Sequence, residues 1–283
     1  MKHVRAGAWA SRMLAVAAVA AMAVPAALAQ SSMDMNQGPP KYLYVSNAEL
    51  KPGNSGALVK LESEEVDALR AAKIDANYFG MWSITGNTSR VLFFRGFNSY
   101  GDLEKIHDAE MGNAAVEAVM HKNSAEEGAM EVAHHGSIYE YEKDLSQNPP
   151  ASLEDMRFAR IILFQVKDGQ QEAWEHLVKE YKAAYASALP EASWAMFEKE
   201  YGEYSGTTYI LITPLKSLAD VDTMEAGGKT FMEKTGPDML DLLRTAGPAI
   251  IASEEADLYA FGPRISYVPD KWLTDSADFW GKK

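Results

Sequence analysis

The side chains able to do chemistry in this 283-residue chain are few, because it contains no cysteine and only six histidines. Without cysteine there is no disulfide scaffold, thiolate nucleophile, Cys-ligated zinc, iron–sulfur cluster or CxxCH haem attachment. Beyond the N-terminal segment the histidines are His107, His121, His134, His135 and His176. His134 and His135 are adjacent, and neighbours on a strand face opposite sides, so they cannot share one ion and read as the polar start of a strand. His121 lies in a polar stretch with Lys122 and Asn123, and reads as solvated. His176 sits between Glu172 and Glu180 at four-residue spacing, which describes an exposed helical charge pair. His107, on a helix that follows a strand, is the remaining ligand candidate, with a surface or structural histidine as the alternative.

Arg95 ends an apolar run, 91–94, where a guanidinium must find a carboxylate or reach water. An ion pair with an acid such as Glu140 is one reading; an anchor for an anionic or carbonyl-bearing ligand at a cavity mouth is the other. Trp82, Trp194, Tyr44, Tyr139, Tyr209 and Tyr259 lie on strand-like segments. They are either core or the walls of a pocket suited to a flat, mostly apolar ligand. Glu198 and Glu200 alternate along a strand end and read as solvent-facing. No GxSxG, GxGxxG or HExxH pattern occurs, and the GGKT at 227–230 lacks the upstream glycine of a phosphate-binding loop. Met33 and Met35, without a histidine, make a poor copper(I) site. No metal-ligand cluster and no cofactor motif is present.

The elements that must carry these residues occur twice. A strand-like run at 42–45 precedes a helical pattern through Leu58, Leu61, Val66 and Leu69. A run at 158–166 precedes Trp174, Leu177, Val178, Tyr181 and Tyr185 at helical spacing. Phe79-Gly80-Met81-Trp82 matches Trp194-Ala195-Met196-Phe197, and 91–94 matches 209–212. Ser99 to Leu103 matches Ser217 to Val221, each serine an N-cap with an acid three residues on. Finally, 138–141 matches 258–261. The offset drifts only from 115 to 120 residues across these matches, read as 79 to 194 and 138 to 258. Each unit reads β-α-β-β-α-β, the ferredoxin-like order, with turns at 85–87 and 201–206 between its second and third strands. A long helix precedes each last strand, over about 113–132 and about 237–251, with Pro237 at its first turn.

The expected organisation is a signal peptide at 1–29, a flexible leader at 30–40, a first unit at 41–145, a linker at 146–156, a second unit at 157–263 and a tail at 264–283. The signal reading rests on Lys2, Arg5 and Arg12 before an apolar run at 13–24, then Pro25 and Ala27-Leu28-Ala29. That run is short of the ~20 residues that span a bilayer. The mature chain is therefore expected to be exported, periplasmic or extracellular, with no membrane span. The formal charge of −13 becomes −16 once those three cations leave, which argues against nucleic acid as a partner. Tyr267, Trp272, Phe279 and Trp280 are costly to leave in water, so the tail is expected to pack on the barrel or on a second chain.

Two such units with aromatic-rich strands and an extra helix before the last strand resemble the dimeric α/β-barrel superfamily, over about 42–145 and 157–263. That superfamily includes antibiotic-biosynthesis-type and haem-degrading monooxygenases, chlorite dismutases and NIPSNAP-like proteins. The resemblance implies an α+β fold of two tandem ferredoxin-like units packed sheet to sheet as an intramolecular α/β barrel around a cavity. By position, His107 is similar to the axial haem ligand, and Asn47 to the polar residue facing the substrate in haem-degrading members. The strand-three tryptophan of those members is absent, and 215–227 holds no histidine. Haem is thus the one cofactor the resemblance leaves open. The expected ligand-binding candidates are Asn47, Trp82, Arg95, His107, Tyr139, Trp194, Tyr209 and Tyr259. The leading function is binding of a small apolar or aromatic molecule between the sheets. The alternatives are a cofactor-independent or haem-dependent monooxygenase, in which His107, Arg95 and Asn47 orient the substrate, and an interaction module with a filled core. Because the duplication completes a barrel within one chain, both monomer and homodimer are compatible with it.

Overall fold

A computed structural model describes residues 35–203 and 206–282. The signal reading and the Met33 site fall outside the described residues. The first unit contains β1 (Tyr42–Leu50), α1 (Ser55–Ala72), β2 (Phe79–Ser83), β3 (Arg90–Phe97), α2 (Tyr100–Met111), α3 (Ala114–Met130) and β4 (Glu131–Tyr141). The second contains β5 (Phe158–Val166), α4 (Gln171–Ala188), β6 (Ala195–Gly202), β7 (Thr208–Leu215), α5 (Ala219–Ile250) and β8 (Ile251–Phe261). A short helix, α6 (Asp270–Asp275), lies in the tail. α5 is two helices joined at Gly236, whose φ of 75° is open to glycine, and Pro237 then begins the second of them.

The strands form a closed barrel in the order β1-β3-β2-β8-β5-β7-β6-β4. Each unit supplies a four-stranded sheet, β4-β1-β3-β2 or β8-β5-β7-β6. The free edges join through β2–β8 and β4–β6, so neither sheet keeps an exposed edge. The two halves agree in detail. β1 and β5 have the same alternation of buried and half-buried residues. Each pairs with its neighbour through a bulge at the same place, Glu49/Leu50 and Gln165/Val166. Isolated bridges Tyr78↔Tyr267 and Gln147↔Trp194 are repeat mates as well.

The joints are held by paired serines. Ser266 Oγ accepts from the Gly80 amide at 2.9 Å and donates to the Gly262 carbonyl at 2.7 Å. Ser146 Oγ does the same for Met196 and Glu142, at 2.8 and 2.7 Å. A Cβ at Gly80 would overlap the Ile265 carbonyl, so the first joint requires glycine. Ser99 caps α2 as expected, accepting from the Asp102 amide at 3.1 Å. Its mate differs: Asp220 instead reaches back to the Lys216 and Ser217 amides, at 2.7 and 3.1 Å, which is the acid half of a capping box alone.

Strand alternation divides the core. Leu43, Val45, Phe79, Met81, Leu92, Phe94, Ile161, Ile210 and Phe261 point into the barrel, and the helices cover the outer faces. The tail closes one end. Trp272 and Trp280 are 0% and 2% exposed and pack on Phe79, with centroids 5.8 and 6.0 Å away. Trp272 donates to Asn36 at 3.1 Å and Trp280 to the Glu154 carbonyl at 2.8 Å. The end of the barrel is thus covered jointly by residues from before β1, between the units and after β8. Among the described residues no helix is long and apolar enough to cross a membrane.

Candidate functional site

At the end opposite the tail, the barrel interior opens into a cavity of about 80 Å³. Its floor is apolar: Val45, Leu92, Ile161 and Ile210. Its rim is polar, since the inward positions of β1, β3, β4 and β8 carry Asn47, Arg90, His135, Ser137, Tyr139, Asp257 and Tyr259 there. Two hydrogen-bonded groups organise it. The Arg90 guanidinium lies 2.8 Å from Glu255 and 3.6 Å from Asp257, and it also bonds the Tyr259 hydroxyl. β2 ends at Ser83, so Arg90 on β3 reaches β8 where no strand separates them. Asp257, almost fully buried, accepts from the Thr85 hydroxyl at 2.9 Å. The second group is His135, whose Nδ1 is 2.6 Å from Glu203.

The electrostatics follow from this packing. Burial raises the Tyr259 hydroxyl above its usual range, although Arg90 works against the shift. The hydrogen bond from Arg90 lowers the Glu255 carboxyl. Burial disfavours the charge on Arg90, but hydrogen bonds to Tyr259 and Glu255 raise its pKa overall. Arg90 is therefore a fixed cation at this mouth.

The duplication is asymmetric here. Tyr139 and Tyr259 are repeat mates, as are Val45 and Ile161, and Leu92 and Ile210. At the rim, however, Asn47 corresponds to Leu163, Arg90 to Thr208, His135 to Glu255 and Ser137 to Asp257. The apolar floor is alike in both halves, while the polar rim differs.

Of the residues expected at a site, Asn47, Tyr139 and Tyr259 come together around this cavity. Arg95, Trp82, Trp194, Tyr209 and His107 do not. Arg95 is on the outward alternation of β3, 2.9 Å from Glu110 on α2 and 5.6 Å from the Tyr78 ring. Its ion pair is with Glu110 rather than Glu140, which pairs with Lys41 at 3.7 Å. Trp82 packs outside the barrel against the cluster of Leu58 and Ile265. The Trp194 indole donates to the Leu145 carbonyl at 2.9 Å. Tyr209 is buried under α4 beside Trp174, with centroids 5.4 Å apart. His107 is exposed on α2. His134 and His135 do face opposite ways, with His134 bonded to Ser46 at 2.7 Å on the outer face. His121 and His176 are exposed beside Glu117 and Glu180.

Residue types alone do not single out Arg90, Glu203, Glu255 or Asp257, and His135 reads from them only as the polar start of a strand. A period of two counted back from Tyr139 and Tyr259 reaches His135, Ser137, Glu255 and Asp257, and this signal was present in the sequence.

Behind Arg95 lies a second concentration of charge, outside the barrel. Glu62 and Glu65 on α1, Glu110 on α2 and Glu127 on α3 surround Arg95, Tyr78 and Asn123. Tyr78 donates to Glu62 at 2.9 Å. Burial, with Glu65 and Glu127 nearby, pushes the Glu62 carboxyl well up. Burial and Glu127 raise Glu65 to about 7, and burial also raises Glu127.

No family model matches the sequence, and no curated protein matches it. Solved structures do. An anthrone oxidase-like protein superposes with a TM-score of 0.52 at 16% identity, covering 78% of this chain and 92% of its own. A candidate monooxygenase from Lactobacillus acidophilus NCFM gives 0.49 at 8%, covering 78% and 93%. A mutant chlorite dismutase from Candidatus Nitrospira defluvii gives 0.44 at 11%, covering 83% and 95%. The chain has the dimeric α/β-barrel fold, with both halves of the barrel in one polypeptide.

Haem, the cofactor that the resemblance read from the sequence leaves open, does not fit the residues present. His107 lies on the exposed face of α2 and lines no part of the barrel interior. A cavity of about 80 Å³ is far below the volume of a porphyrin. Among the described residues no group of three or more His, Asp or Glu side chains is arranged to hold a metal ion.

Proposed function

We propose that this protein is exported and binds a small, largely apolar or aromatic molecule in the mouth of the barrel. One observation carries the reading: polar side chains from four strands converge on an apolar floor inside the barrel, the arrangement of a small-molecule site. The apolar part of the ligand would lie on Leu92, Ile161 and Ile210, and its polar end would meet Arg90, His135 and the two tyrosines. The volume suits a small molecule or one end of a longer one, because pockets for drug-sized ligands run to roughly 300–1,000 Å³. The carboxylates of Glu203, Glu255 and Asp257 outnumber the cations, so the polar end is neutral or cationic rather than anionic.

The test is native mass spectrometry of the protein recovered from the compartment to which it is exported. The expected result is a co-purifying small molecule that is absent from Leu92→Trp, a variant whose floor is filled. If no molecule co-purifies and no phenol or aromatic amine shifts the melting temperature, the filled-core alternative takes its place.

A second reading, cofactor-independent monooxygenation, is favoured by the His135–Glu203 pair. A carboxylate on Nδ1 fixes the tautomer that leaves Nε2 as an acceptor. Such an imidazole can take a proton from a phenol or an activated C–H bound in the cavity, as a substrate must lose one before reacting with oxygen. Anthrone serves as the probe. Oxygen uptake that falls in His135→Ala supports catalysis, and equal uptake in both proteins overturns it.

A further inference from the structure

The capped end of the barrel holds a second cavity, also of about 80 Å³, that the mouth does not use. None of the side chains lining it carries a nitrogen or oxygen atom. Glycine, alanine, proline, leucine, isoleucine, methionine and phenylalanine make up the whole wall. Its origin is visible in the repeat. The strand pairing moves the β2–β6 correspondence one residue from the match read in sequence, so that Ala195 and not Trp194 is the mate of Phe79. Ala159 and Ala195 point inward where their mates are Leu43 and Phe79, so one half of the barrel leaves a hollow where the other half fills space. The roof comes from outside the units: Met35 and Pro39 before β1, and Pro149 and Leu153 between the units. These two segments are tied by a hydrogen bond from the Gly38 amide to the Ala151 carbonyl at 2.8 Å. Phe94 lines this chamber and the mouth cavity alike.

From this geometry we infer that the capped chamber is a second binding site, for a small hydrocarbon or halocarbon without hydrogen-bonding groups. Water against so apolar a wall finds almost no hydrogen-bond partner, so an apolar guest displaces it at little cost. An apolar guest of matching size gains dispersion contacts that the bare walls lack. A hydroxyl on the same guest would lose its bonds to water and gain none. The chamber therefore selects against polar analogues. The mouth, with its hydrogen-bonding rim, does the reverse.

Met35 and Met81 line the chamber and do not line the mouth, so their methyl groups report on it locally. The experiment is a benzene titration of the full chain carrying ¹³C-methyl methionine, followed by NMR, with phenol as the matched polar probe. Saturable shifts of Met35 and Met81 are expected with benzene, and at least tenfold weaker binding with phenol. In Ala195→Phe, which restores the mate's side chain, and in the milder Ala159→Val, the benzene shifts should be lost or weakened while the fold is retained. Linear shifts spread over all methionines, or phenol binding as tightly as benzene, would overturn the assignment. Saturable shifts in the wild type that persist unchanged in both filled variants would place benzene elsewhere and overturn it too.

Discussion

Replacing Trp272 by alanine tests whether the tail is an integral part of the barrel. The indole is fully buried between Phe79 and Trp280, with centroids 5.8 and 5.5 Å away, and its N–H bonds Asn36. A tryptophan side chain buries roughly 200 Å², which at ~25 cal/mol per Å² is about 5 kcal/mol of transfer free energy. Partial collapse of the hole brings the expected cost to about 3–5 kcal/mol, the usual range for Trp→Ala in a core. The loss of the Asn36 bond falls within that range, since Asn36 also accepts from Ser152 at 3.1 Å and is not orphaned. For a domain whose whole stability is about 5–15 kcal/mol, this is a large fraction. Melting should fall by on the order of 10 °C, at roughly 2–4 °C per kcal/mol for a chain of this size. Urea unfolding followed by circular dichroism and by tryptophan fluorescence measures it, the two probes together checking that the transition remains two-state. A loss below about 1 kcal/mol would refute the reasoning, because it would mean that the tail detaches at little cost and the barrel end stands without it.

The buried carboxylates of the first unit predict an unusual pH dependence. Glu65 is held at about 7 against an ordinary 4.5, and Glu62 is also raised, so the stability from their protonated forms is complete below about 4.5 and is lost as pH rises through 7. Glu65→Gln should then be more stable than the wild type at pH 8, by on the order of 3 kcal/mol, and nearly equal to it at pH 4.5; equal urea midpoints at both pH values would contradict this. At the first joint, Gly80→Ala forces a Cβ into the Ile265 carbonyl and should lower stability by about 1–3 kcal/mol or prevent folding, whereas Ala at the open Gly56 position should not, by the same urea assay. Arg90→Gln should weaken binding of any mouth ligand and lower the melting temperature, since it removes the hydrogen bond to Glu255 and the cation beside buried Asp257; an unchanged melt would show that the bridge between β3 and β8 is dispensable. Finally, His107→Ala, on an exposed face, should change neither the melt nor the absorbance on adding haem, and a Soret band present only in the wild type would reinstate His107 as a ligand.

What the amino-acid sequence determined by itself is the repeated element order and several of the signals that begin or end its elements. Those depend on local patterns: helical spacing through Leu58 and Leu61, the cap at Ser99, and the glycine and proline that restart a helix at Gly236 and Pro237. The tail's burial was legible for a similar reason, since four aromatics in so short a segment cannot stay in water without cost. Tertiary structure decided which way each side chain faces and what it meets. On a strand one residue of register reverses every facing, so Arg95, at the end of an apolar run, resembled a mouth residue until the pairing of β1 with β3 placed it outward against Glu110. Arg90, five residues earlier, faces inward and spans to β8 because β2 is short. That contact joins residues more than 160 positions apart, and no local pattern encodes it. The same holds for the capped chamber. Ala159 and Ala195 are unremarkable in sequence and become a cavity wall only when the barrel closes and its other half supplies Leu43 and Phe79 across the interior.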